Sequence, residues 1–216
     1  MKKIFLYATL GFSILLGSCR PAYVDPYPPG GGENTYTFVD DFNNNSNGWN
    51  FSDPAWDAYG VIDQGTFSFS YLDPTGVAYY RSKDIRFNPD RDFVLQTRIG
   101  SDNNMGLLFG YDEATGAYGY SFTVSYDGYF ALWDEGGNGG APDITEMIPP
   151  TLSSAVRPNG DWNELSIEQV GNNWVGYINN NRVFTVPARY IVKGSIGFVV
   201  MANTRGEADY IQADFY

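Results

Sequence analysis

The chemistry open to this chain is bounded first by what its 216 residues lack: they include no histidine and a single cysteine, Cys19. Imidazole-based triads, histidine bases and histidine-ligated zinc are therefore excluded. Carboxylates, tyrosines and lysines remain. In Trp133-Asp134-Glu135 the two acids are adjacent, so on a strand they point to opposite faces. Glu164 and Glu168 share a face but stand about 13 Å apart at strand rise, beyond the roughly 5 to 5.5 Å that retaining glycoside cleavage uses. They read as solvent-facing neighbours of inward Leu165 and Ile167. Oxygen-rich clusters occur at Asp40-Asp41 with Asn43 to Asn47, at Asp102-Asn103-Asn104 and at Asp112-Glu113. Such groups suit a hard cation like calcium, although none has EF-hand spacing and turn formation explains the same residues.

Aromatic residues make up 17 % of the chain, enough to build a core and leave flat rings for stacking on sugars. Trp56, in Asp53-Pro54-Ala55-Trp56-Asp57, and Trp133, beside a Gly/Asn run, fall near turns and are candidate ligand contacts. Tyr80, Arg98 and Tyr129 join them because alternation sets them opposite core neighbours. Packing is the competing reading for all five. Trp49, Trp162 and Trp174 lie inside strand-like blocks and are assigned to packing.

The elements that must position these side chains are strands. From Tyr36 onward, short runs alternate apolar and polar residues and are broken by Gly, Asn, Asp and Pro. Thr66 to Tyr71 has an aromatic at every second position. Phe93, Leu95 and Ile99 repeat the pattern, as do Met105, Leu107, Phe109 and Tyr111, then Tyr118, Tyr120, Phe122 and Val124, and later Ile196, Phe198 and Val200. Asp127-Gly128 and Asn179-Asn180-Asn181 are hairpin signals. About a dozen antiparallel strands in one all-β domain, residues 36–216, predict two packed sheets, a sandwich or jelly roll. The stretch from Asp134 to Pro158, rich in Gly and Pro, is predicted to be a long loop.

Ahead of this domain the chain reads differently. Met1, Lys2 and Lys3 precede an apolar run from Ile4 to Leu16, which as a helix would reach about 20 Å against the roughly 30 Å of a bilayer core. That is the pattern of a signal peptide, residues 1–18, removed on export. Residues 20–35 hold prolines and then glycines without periodicity, a spacer. The formal charge is −12, and loss of Lys2 and Lys3 makes it more negative still. Such a surface repels phosphate backbones and anionic headgroups, so nucleic-acid binding is disfavoured.

Leu16-Gly17-Ser18-Cys19 resembles the lipobox of bacterial lipoproteins. The resemblance implies that Cys19 carries lipid, which accounts for an unpaired cysteine in an exported chain and supplies the membrane contact that a basic patch does not. Arg20 stands where such lipoproteins carry aspartate when retained at the inner membrane, so outer-membrane attachment is expected. Residues 19–35 then form a lipidated tether.

Three further blocks resemble the concanavalin A-like lectin/glucanase superfamily in its laminin-G-like jelly-roll branch. They are Phe38-Val39-Asp40-Asp41-Phe42 with Gly48-Trp49; Gly106-Leu107-Leu108-Phe109-Gly110 with Gly119-Tyr120-Ser121-Phe122 and Asp127-Gly128-Tyr129; and Trp162-Asn163-Glu164-Leu165-Ser166-Ile167 with Trp174 to Asn179, Gly194 to Phe198 and Ala213-Asp214-Phe215. The likeness implies a two-sheet jelly roll and a structural calcium near the first and last strands, for which Asp40, Asp41 and Asp214 are the candidates. It does not bring a catalytic set with it, since the Glu-x-Asp-x-x-Glu strand of family 16 glucanases is missing. The expectation is a non-catalytic, carbohydrate-binding envelope lipoprotein. A carboxylate-dependent glycoside hydrolase and a protein-partner-binding assembly lipoprotein are the alternatives. A concave aromatic groove would favour glycan, and a broad apolar patch a protein partner.

Overall fold

The computed structural model describes residues 36–85, 92–112, 119–136, 144–191 and 194–215. The predicted signal peptide, Cys19 and the predicted tether lie outside them. The described residues contain fifteen strands and no helix. In chain order the first five are β1 (Tyr36–Asp40), β2 (Phe51–Asp53), β3 (Ala58–Asp63), β4 (Thr66–Tyr71) and β5 (Ala78–Asp84). The next five are β6 (Phe93–Ser101), β7 (Asn104–Phe109), β8 (Tyr120–Ser125), β9 (Tyr129–Asp134) and β10 (Thr145–Leu152). β11 (Asn163–Val170), β12 (Asn173–Ile178), β13 (Asn181–Pro187), β14 (Ser195–Met201) and β15 (Thr204–Phe215) complete the set.

These strands form two antiparallel sheets, the jelly-roll sandwich expected. One has nine strands in the order β13-β12-β11-β6-β15-β4-β3-β2, with β1 also paired to β15. The other has six in the order β10-β9-β8-β7-β14-β5. Alternation explains which residues meet between them. Phe67, Phe69 and Tyr71 of β4 are buried, and the intervening Ser68 and Ser70 face outward. On β6 the inward set is Phe93, Leu95, Thr97 and Ile99, and on β7 it is Met105, Leu107 and Phe109. Phe42, Trp49, Phe67 and Phe198 pack ring against ring at 5.5–6.1 Å, and Trp174 meets Phe109 and Tyr120 edge-on at 5.2 and 4.6 Å. Each such side chain contributes on the order of 1.5–3 kcal/mol of burial, so aromatics carry much of the core.

The block Asp40 to Trp49 is a polar knot at the edge of this core. Buried Asp40 accepts hydrogen bonds from the Trp49 indole N–H and the Asn47 amide, both at 2.7 Å, and from the Phe42 backbone N–H at 3.0 Å. Its carboxylate thus holds the indole and the loop in register. The β12–β13 hairpin turns through Asn179 and Asn180, both at positive φ (49° and 65°), as a two-residue loop requires.

Two details differ from the sequence reading. Asp134 to Pro158 is not wholly loop, because Thr145–Leu152 forms β10 along β9 at the edge of the six-stranded sheet. An edge strand bonds on one side only, and its pairing here has register shifts, so Pro149 and Pro150 are accommodated. Glu168 faces outward but is buried rather than solvated.

Candidate functional site

A trough of about 500 Å³ lies on the outer face of the nine-stranded sheet. Its floor follows from strand register. Val61, Ser68, Glu207 and Gly100 are successive cross-strand neighbours on β3, β4, β15 and β6, and Tyr59, Ser70 and Arg205 form the next row. Serine and glycine keep the middle low. Tyr59 and Val61 rise on the β3 side, and Tyr126 and Trp162 stand on the other with Asn159 and Gly160. From β3 to β6 is three interstrand spacings, about 14 Å.

Three connections build the far wall and brace one another. The Tyr126 N–H, in the β8–β9 turn, donates to the Asn103 carbonyl at 2.6 Å, and the Asn159 N–H donates to the Tyr126 carbonyl at 2.8 Å. Asn159 and Gly160 take positive φ (65° and 79°), which turns the chain before β11. Gly100 permits this closeness, since a Cβ there would lie 2.9 Å from the Gly160 carbonyl oxygen. Trp162 is held in place by Arg98, whose guanidinium sits 5.0 Å from the ring centroid while pairing with Asp209 at 3.1 Å. Tyr59 and Tyr126 remain 38 % and 46 % exposed, so their rings are available to a ligand. Aromatic faces beside hydroxyl, amide and carboxylate groups can stack on and hydrogen-bond to a polyhydroxylated chain.

The five ligand-contact candidates from the sequence do not converge. Tyr80, Tyr129 and Trp133 are on the outer face of the six-stranded sheet, Arg98 is on the outer face of the nine-stranded sheet beneath Trp162, and Trp56 is exposed in the β2–β3 turn. Arg98 alone adjoins the trough. Trp49 and Trp174 are fully buried, whereas Trp162, assigned to packing from the sequence, lines the trough. The outward alternation of Tyr59 and Val61 was the available signal for that wall. For Tyr126 it was the turn beside Asp127-Gly128.

The calcium candidates also stand apart. Asp40 faces the core and is engaged by Trp49, Asn47 and Phe42; Asp41 bonds the Asn43 amide at 2.6 Å; Asp214 accepts from Thr37 and Gln212 on the outward side of the β1–β15 pair. No group of three or more acidic or thiol side chains suited to a metal ion occurs among the described residues.

A second polar cluster occupies the outer face of the six-stranded sheet. Glu135, 4 % exposed, accepts a hydrogen bond from the Tyr80 hydroxyl at 2.8 Å and another from Ser121. Tyr80 stacks on Tyr111 with centroids 5.1 Å apart. Burial pushes the Glu135 carboxyl above the usual range, against the lowering effect of the two hydroxyl donors. Burial raises Tyr80 as well, followed by the Glu135 charge. Neighbouring Asp134 shares the side of its cross-strand partner Tyr120, which faces the core, so the two acids do not face one space.

No family model matches the chain, and no curated protein sequence matches it. Solved structures share the fold at low identity. The CBM2 module of the evolved Dit protein of Lactobacillus casei BL23 phage J-1 matches with TM-score 0.53 and 10% identity, over 84% of this chain and 96% of that one. The kappa-carrageenase of Pseudoalteromonas carrageenovora, solved with an oligotetrasaccharide of kappa-carrageenan, gives 0.50 and 10% over 88% and 99%. The laminarinase catalytic domain of Thermotoga maritima gives 0.50 and 12% over 82% and 96%. What these likenesses define is the architecture: a two-sheet antiparallel jelly roll.

Proposed function

We propose that this chain is a bacterial envelope lipoprotein, anchored through Cys19 to the outer membrane, whose jelly-roll domain binds glycan without cleaving it. The observation that carries the glycan reading is the trough, where Tyr59, Tyr126 and Trp162 stand over a floor of small hydroxyl-bearing and charged residues. The fold is shared with the CBM2 module of a phage Dit protein and with a carrageenase solved with an oligotetrasaccharide, and an open aromatic channel suits an extended sugar chain. The binding reading is preferred to hydrolysis because Asp134, the carboxylate whose charge reaches the buried Glu135, lies on the opposite face of β9 and so does not share its space.

The test is a broad glycan array probed with the full chain in neutral detergent, with and without calcium. Binding is expected, and Tyr59→Ala and Trp162→Ala should each weaken it about tenfold, the loss of one stacking platform. Absence of binding at high micromolar protein would overturn the glycan reading. Glycan turnover that disappears in Glu135→Gln would establish the hydrolase in its place.

A further inference from the structure

We infer that the trough selects uncharged oligosaccharides and rejects anionic ones; the inference rests on the glycan reading and adds the class of sugar. The charges along the floor decide it. Arg205 is tied to Asp102 twice, through a 2.6 Å backbone N–H bond and a guanidinium–carboxylate approach of 3.8 Å. Arg98, beneath Trp162, is paired with Asp209, and Arg157, which does not line the trough, donates to the Trp162 carbonyl at 3.2 Å. Arg205 and Arg98 therefore already face a carboxylate. Glu207 is different: its cross-strand neighbours are Ser68 on β4 and Gly100 on β6, and neither offers a positive charge.

A sugar lying between the aromatic walls would thus pass over a lining that holds two carboxylates, Glu207 and Asp102, against the single guanidinium of Arg205. A uronate or sulfate there would meet like charge, while Arg205, the guanidinium in the trough lining, already faces Asp102. Like charges about 4 to 8 Å apart near a protein surface repel by an amount worth about tenfold or more in affinity. The rest of the lining suits hydroxyls, because Ser68 and Ser70 on the floor and the Asn159 amide on the wall are neutral groups. The chain's net charge of −12 adds a longer-range bias of the same sign, which salt screens.

The experiment compares matched glycans that differ only in charge. Fully methyl-esterified homogalacturonan and its de-esterified form make one pair, and a neutral galactan with its sulfated form makes another. Each is titrated into the full chain in neutral detergent at 20 mM and 500 mM NaCl. The neutral member of any bound pair is expected to bind at least tenfold more tightly at low salt, with the ratio narrowing at high salt. Glu207→Gln should narrow the ratio at low salt, and Glu207→Lys should narrow it further or reverse it. Equal or tighter binding of the anionic member to the wild type overturns the inference while leaving the glycan reading intact. A ratio that neither Glu207 variant changes also overturns it. No binding of any glycan, on the array or in these pairs, overturns both.

Discussion

Glu135 is buried where an ionised carboxylate is least well solvated, with only the hydroxyls of Tyr80 and Ser121 to receive it. Its folded-state pKa is raised above the unfolded value, so it binds a proton more tightly when folded. The stability this confers is fully present below the unfolded pKa, near 4.5, and is lost as pH rises through the folded value. Wild-type protein should therefore lose thermal stability between mildly acidic and neutral pH, and Glu135→Gln should flatten that decline; parallel Tm–pH curves for the two proteins would refute the assignment. At this scale the sequence was informative about side and silent about cover. Alternation placed Asp134 and Glu135 on opposite faces, but nothing local to Glu135 reveals that Tyr80, more than fifty residues earlier, reaches across to it. Trp162 shows the same limit in reverse. Its strand-like neighbours suggested packing, and its partial exposure depends on where the Asn159-Gly160 turn and Arg98 come to lie.

Among the elements, β10 departs most from its local sequence. Two adjacent prolines cannot donate to a ladder, which is why the stretch reads as loop, yet an edge strand with register shifts admits them. β4 was legible because period and burial agree, and β6, β7 and β14 because their core residues recur at every second position, although β7 and β14 are buried on both faces. The three-residue β2 was not, since so short a run carries no period. The prolines also have a protective role: they leave β10 with fewer N–H groups to pair with a second chain. Replacing Pro149 and Pro150 together with threonine should raise self-association on incubation, read by light scattering, with a change in folding stability of only about 0.5 kcal/mol or less. Unchanged scattering would show that the register shifts alone guard this edge.

For the molecule as a whole, the proposed anchor is tied to the charge. A strongly acidic chain has no electrostatic route to an anionic membrane, so in the function proposed above the lipid on Cys19 would be the contact that holds it there. Wild-type cells given labelled palmitate should yield a labelled protein in the outer-membrane fraction, and Cys19→Ser should yield an unlabelled, uncleaved or mis-sorted one. Unlabelled wild-type protein in the soluble periplasmic fraction would refute the anchor. The sandwich also has an order of assembly written into it. β15 lies between β6 and β4 and pairs with β1, yet it is the last of the fifteen strands to be synthesised. Until it arrives, β1 has no ladder partner, and β4 and β6 each lack a neighbour on one side. A chain that stops before Thr204 therefore lacks the strand joining the two halves of its larger sheet, and it presents open edges to proteases and to other chains. Closure of the larger sheet thus waits on β15: until that strand is in place, β4 and β6 cannot be joined into one ladder.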